Sequence, residues 1–215
     1  MCLNGWGTPR NYGAALQWLK EAADHGYGPA YFNLGILYQE GQGVRKDPAE
    51  ALHYLRKGAN AGDSNSQTNL GYMYDRGIGV SKDIQEAIRW YRKAAENHNA
   101  LARNNLADLY LRGEGIPQND AIAFQLFQEA ANQGQTSACI KIAYMYSSGR
   151  GTAKDLMRAY SWITVAEIAG DARGHDLLRT LESQLSAGQI ARAKEDANKF
   201  GAKSQVELSA QEFKP

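Results

Sequence analysis

Residues 30–44 read Ala30-Tyr31-Phe32-Asn33-Leu34-Gly35-Ile36-Leu37-Tyr38-Gln39-Glu40-Gly41-Gln42-Gly43-Val44, and the pattern returns 36 positions later as Ser66 to Val80. Gly-x-Gly pairs mark the period at Gly5/Gly7, Gly41/Gly43, Gly77/Gly79, Gly113/Gly115 and Gly149/Gly151, without insertion or deletion. Other columns keep step. Leu34, Leu70, Leu106 and Ile142 form one, and Tyr38, Tyr74, Tyr110 and Tyr146 another. Ala15, Ala51, Ala87, Ala123 and Ala159 form a third, and Asn11, Asp47, Asp83, Asn119 and Asp155 a polar one. A constant register across this many columns identifies a tandem repeat.

Each unit reads as two short helices. Ala30, Leu34, Leu37 and Tyr38 fall at i, i+4, i+7 and i+8, one face of an α-helix. Gly41 suits the left-handed residue that closes a helix, and Gly43 permits the reversal that follows. Asp47 then caps a second helix, with Pro48 at its first position and Glu50 completing a capping box that Asp83 and Glu86 repeat. Ala51, Tyr54, Leu55 and Gly58 make the buried stripe of that helix. The small column Ala30, Ser66, Ala102 and Ala138 lets neighbouring helices approach closely. Helices of about 13 residues would be roughly 20 Å long. No unit can bury both stripes alone, so the units must stack into a solenoid.

The ends differ. A partial unit over 1–23 precedes full units at about 24–59, 60–95, 96–131 and 132–167. A divergent unit at 168–185, a capping helix at 186–201 and a flexible tail at 202–215 complete the reading. The partial unit leaves part of the stripe Ala15, Trp18 and Leu19 uncovered, which points to a piece of a longer array or to an end covered by a partner. The chain is therefore expected to be monomeric, or to associate weakly end to end there.

Composition narrows the function classes. The 215 residues carry a formal charge of +1, which argues against a polyanion binder. Alanine occurs 32 times and Val, Ile and Thr together 21 times, favouring helix over strand. No run approaches the 18 apolar residues of a membrane span, and no secretory signal opens the chain as written. The compartment is left open: cytoplasmic as written, periplasmic or secreted if the true start lies upstream.

The columns resemble the Sel1-like repeat family, a relative of the tetratricopeptide repeat. The resemblance rests on Ala30 to Tyr38, Gly41-Gln42-Gly43-Val44, Asp47, Ala51 and Lys57-Gly58-Ala59, on Asn69 to Tyr74 with Gly77 to Val80, and on Trp90 to Ala95. Unit three departs from it with Ala107 and His98 in glycine columns. The resemblance implies an all-α, right-handed α/α superhelical solenoid acting as a bacterial adaptor or scaffold that binds a peptide or partner protein and takes no cofactor. One cysteine-rich branch of the family has been linked to β-lactam binding or hydrolysis, which supplies the alternative function. Its recurrent cysteine pairs are missing here, since Cys2 and Cys139 occupy different columns.

By analogy with the tetratricopeptide fold, positions before the packed Leu on each first helix face a concave groove. That column is Asn33, Asn69, Asn105 and Lys141, flanked by Phe32. The next turn presents Ile36, Tyr72, Asp108 and Tyr144, followed by Arg76 and Arg112. Three Asn and a Lys resemble the carboxylate clamp of peptide-binding tetratricopeptide domains: Asn amides can pair with a peptide backbone, and Lys141 with a terminal carboxylate. The other reading of the ladder is structural, with each Asn side chain satisfying nearby backbone groups between adjacent helices.

No other chemistry stands out. His25, His53, His98 and His175 occupy different columns, so no metal site is expected. The Gly-x-Gly turns precede no G-K-[ST], and no hydrolase motif appears. The sequence therefore points to a non-enzymatic protein-interaction scaffold.

Overall fold

The computed structural model describes residues 11–212, with side chains through residue 200. Its helices are α1 (Tyr12–Asp24), α2 (Gly28–Glu40), α3 (Pro48–Asn60), α4 (Ser64–Arg76), α5 (Ile84–Glu96), α6 (Ala100–Arg112), α7 (Asp120–Asn132), α8 (Thr136–Ser148), α9 (Leu156–Ile168), α10 (His175–Glu182) and α11 (Ala187–Glu212). Each of α1 to α9 is 13 residues long, and no strand occurs among the described residues. The fold is an all-α solenoid of tandem helix pairs.

The helix ends follow the local chemistry. Gly41, Gly77 and Gly149 close α2, α4 and α8 at φ values of 76°, 67° and 73°. Asp47, Asp83, Asn119 and Asp155 cap α3, α5, α7 and α9 with side-chain oxygens that accept backbone N–H groups. The capping box is only half made. The Asp47 N–H donates to the Tyr38 carbonyl at 2.9 Å, and Asp83, Asn119 and Asp155 donate in the same way to Tyr74, Tyr110 and Tyr146. The cap N–H is thus held by the preceding helix. The Glu86 carboxylate instead accepts from Arg89 and from Trp90 Nε1.

The chain divides into two compact units after Ala102, inside α6. In the first, α1 to α5 pack in sequence around Leu34, Leu55, Leu70, Met73 and Trp90. Trp18 on α1 is 67% exposed, while Ala15 is buried and Leu19 half-buried. Gly58 and Ser66 let α3 and α4 approach closely, since a β-carbon on Gly58 would lie 2.2 Å from the Ser66 hydroxyl.

That hydroxyl is fully buried and has no hydrogen-bond partner among the described residues. Alanine fills the column at Ala30, Ala102 and Ala138, all fully buried. Ser66→Ala is therefore expected to stabilise the protein by about 1–2 kcal/mol, the cost of leaving a buried polar group unsatisfied. A midpoint of thermal unfolding that stays level or falls would contradict this.

In the second unit α7, α8 and α9 pack in order, and α10 and α11 both cover α9. The core is one cluster around Phe127, Ile142, Met145, Tyr160 and Ile163. Helix α11 runs on to Glu212, past residue 201 where the sequence reading ended it. The reason is local: no proline occurs between Gly201 and Glu212, and the stretch is rich in Ala, Lys, Gln and Glu. Near α6, His98 alone among the described non-glycine residues has a positive φ, 58°. It takes the place that Gly26, Gly62, Gly134 and Gly170 fill elsewhere.

Candidate functional site

The first unit presents its part of the candidate face on α2 and α4. Helical spacing from the buried Leu34 and Leu70 brings Asn33, Ile36 and Asn69 to half-buried positions and leaves Tyr72 38% exposed. The Arg76 guanidinium lies 5.8 Å from the centre of the Tyr72 ring, on the next turn. Phe32 turns inward, packed on the core beneath. Its equivalent Thr68 is buried and donates to the Ser64 carbonyl at 2.7 Å.

The asparagines bond within their own helices. Asn33 Nδ2 donates to the Pro29 carbonyl at 2.8 Å and Asn69 Nδ2 to the Asn65 carbonyl at 3.0 Å. These i−4 bonds stay within one helix, whereas the structural reading of the ladder placed them between adjacent helices. They also orient the amides, leaving Oδ1 of each to accept from outside.

The second unit carries Asn105, Asp108 and Arg112 on α6 and Lys141 and Tyr144 on α8. Lys141 Nζ lies 2.9 Å from Asp108 Oδ1, so the residue cast as a carboxylate clamp already holds one. Asn105 accepts from its neighbour Asn104, whose own Oδ1 accepts from Ser137 on α8. Arg112 pairs with Glu114 at 3.2 Å. Tyr144 is 47% exposed.

Beside Tyr144 lies an open cleft of about 370 Å³, walled by Leu111, Ile140, Lys141, Met145 and Arg150. Lys141 and Tyr144 belong to the predicted set; Leu111 and Arg150 do not. Arg150 carried no column signal, because Gln42, Ile78 and Glu114 occupy its place in other units. Its guanidinium donates to Asp120 Oδ2 and to the Leu111 carbonyl, both at 2.7 Å. The same bond holds the Asp120 carboxyl below the usual carboxylate range.

The Cys139 thiol is not poised as a nucleophile. Cys139 is buried, and burial pushes its thiol up to about 12. Cys2 lies outside the described residues. No group of His, Cys, Asp and Glu among the described residues could hold a metal ion.

The Sel1 repeat model matches residues 1–27, 28–63, 64–99, 100–135 and 136–171. The chain belongs to the Sel1 repeat family. Among solved structures, this Sel1 array is similar to a Sel1 repeat protein from Oxalobacter formigenes at 32% identity, covering 93% of this chain and 84% of that one with a TM-score of 0.80. It is also similar to c5321, a protective antigen present in uropathogenic Escherichia coli strains and displaying an SLR fold. There the identity is 26% and the TM-score 0.62, over 100% of this chain and 54% of that one. No curated protein matches the sequence. Sel1 repeat proteins are typically non-enzymatic scaffolds for protein interactions.

Proposed function

We propose that this Sel1 array is a non-enzymatic adaptor whose first helices present their exposed faces to a peptide or partner protein. The observation that carries the reading is the exposure of Tyr72 and Tyr144 in a column that otherwise holds Ile36 and Asp108. Neighbouring columns hold uniform buried residues, whereas this one changes chemistry from unit to unit and keeps two aromatic rings in solvent. Aromatic rings held at a surface with polar neighbours are the usual anchors of protein interfaces.

The test is capture of partner proteins from an extract of the native organism by the full chain and by a variant carrying Asn69→Ala and Lys141→Glu. Neither side chain belongs to the buried core, so the helical circular dichroism signal should stay unchanged. At least one partner captured by the parent should drop by about tenfold, the loss of roughly 1.4 kcal/mol. Undiminished capture by the variant overturns the reading.

A further inference from the structure

The candidate face carries the cations Arg76, Arg112 and Lys141, and their surroundings differ. In the second unit Lys141 has the Asp108 carboxylate at 2.9 Å and Arg112 has Glu114 at 3.2 Å, so each charge is balanced on the spot. In the first unit Arg76 is exposed, and among the described residues it makes no hydrogen bond and no ion pair. Its guanidinium lies instead 5.8 Å from the centre of the Tyr72 ring.

Nearby carboxylates leave that charge uncompensated. Glu40, in the equivalent place on α2, accepts from Gln42 Nε2, and Asp75, next to Arg76 in the chain, is buried. The helix dipole favours a cation in the last turn of α4, which accounts for the charge but not for a tyrosine kept in solvent beside it. All five N–H donors of Arg76 are open, and a carboxylate can take two of them in parallel. A ligand carboxylate at Lys141 or Arg112 would meet a like charge already in place, whereas at Arg76 it meets the balancing one.

The neighbouring amides suit a polypeptide. Asn33 and Asn69 each spend one Nδ2 hydrogen within their own helix and keep the other, together with Oδ1. That donor and acceptor match the C=O and N–H of a peptide backbone. A single unbalanced cation also fits the single charge of a carboxylate, while a phosphate dianion would keep charge unmatched.

We infer that Arg76, beside the Tyr72 ring, reads a carboxylate of a partner polypeptide, and that Lys141 does not. The inference rests on the adaptor reading above and names the chemistry of its partner. An acidic side chain and a chain terminus both supply the group.

The experiment titrates the isotope-labelled full chain at low salt and follows the backbone amides of residues 69–76. Its four probes are short blocked peptides. Acetyl-alanyl-glutamyl-alanine amide offers an acidic side chain, and acetyl-trialanine a terminal carboxylate. Acetyl-alanyl-glutaminyl-alanine amide offers no charge, and acetyl-alanyl-phosphoseryl-alanine amide a dianion. At least one carboxylate probe should bind about threefold more tightly than the glutamine probe, within the range of an exposed ion pair. Which of the two does so tells whether a side chain or a terminus is read. High salt should shrink the preference. Arg76→Gln should abolish it, and Lys141→Gln should leave it in place.

Equal binding of the glutamine probe, tighter binding of the phosphoseryl probe, or a preference that survives Arg76→Gln overturns the inference, and so does silence towards every probe. None of these results touches the adaptor reading, which stands or falls on capture by the Asn69→Ala, Lys141→Glu chain.

Discussion

Gly151→Ala should cost the second unit about 3–5 kcal/mol, whereas Gly170→Ala should cost it about 1–2 kcal/mol. Both glycines are left-handed, with φ of 70° and 85°, so an added β-carbon meets similar backbone strain at each. Their surroundings differ. At Gly170 nothing lies within 4 Å of that carbon. At Gly151 it would fall 2.2 Å from the carbonyl oxygen and 2.6 Å from the carbonyl carbon of Asp120, the first residue of α7. A backbone carbonyl at a helix start cannot rotate aside as a side chain could, so α7 and the turn before α9 must separate.

A β-carbon on Gly79 would lie 2.5 Å from the Pro48 carbonyl oxygen, and one on Gly43 2.3 Å from Tyr12 Cβ, at the equivalent position one repeat earlier. Gly43, Gly79 and Gly151 are thus spacers between repeats as well as turn residues. Urea unfolding followed by circular dichroism measures both variants. Equal losses would show that backbone strain accounts for the whole effect and that the contact is not limiting.

This spacer role marks where the sequence stopped being readable. Helix ends were legible because their signals are local: Gly41 takes a left-handed φ, and Asp47 caps the N–H groups two and three residues on. The features that the sequence hid involve partners about a turn or a repeat away. Glu50 three residues after Asp47 suggested a reciprocal box, yet the Asp47 N–H reaches back nine residues to Tyr38, and only tertiary packing decides that choice. Gly43 looked like a requirement of its own turn, because the first residue of α1 that it touches lies 31 positions earlier.

The candidate face divides in the same way. Period and column variation placed Tyr72 and Tyr144 on an exposed strip from the sequence alone. Charge state was hidden. Lys141 reads as a free cation in its column, but Asp108 sits 33 residues before it on the neighbouring first helix and neutralises it. Ser66 is the opposite case. Its column of alanines said "small and buried", and that was correct, yet nothing in the sequence told whether its hydroxyl had found a partner.

The same pairing of columns sets the second large effect, at Phe127. In the first unit a small residue faces a large one: a β-carbon on Gly35 would lie 2.7 Å from Leu55 Cγ, and one on Gly71 2.8 Å from the Tyr91 ring. The repeat carries this to Ala107 opposite Phe127, both fully buried in one cluster. Phe127→Ala should therefore cost about 3–5 kcal/mol, the usual range for a deleted buried ring. The reason lies in what else occupies that cluster. Ala107, Ala123, Ala130, Ala131, Ala138 and Ala143 have no rotamers with which to reach into a void, so only the larger members, such as Ile142 and Met145, could fill part of it. Phe127→Leu, which keeps most of the volume, should cost less than half as much. Amide hydrogen exchange on peptides from α7 and α8 tests this directly: protection should fall by two orders of magnitude or more in Phe127→Ala. Near-parental protection there would mean that the cavity closes after all.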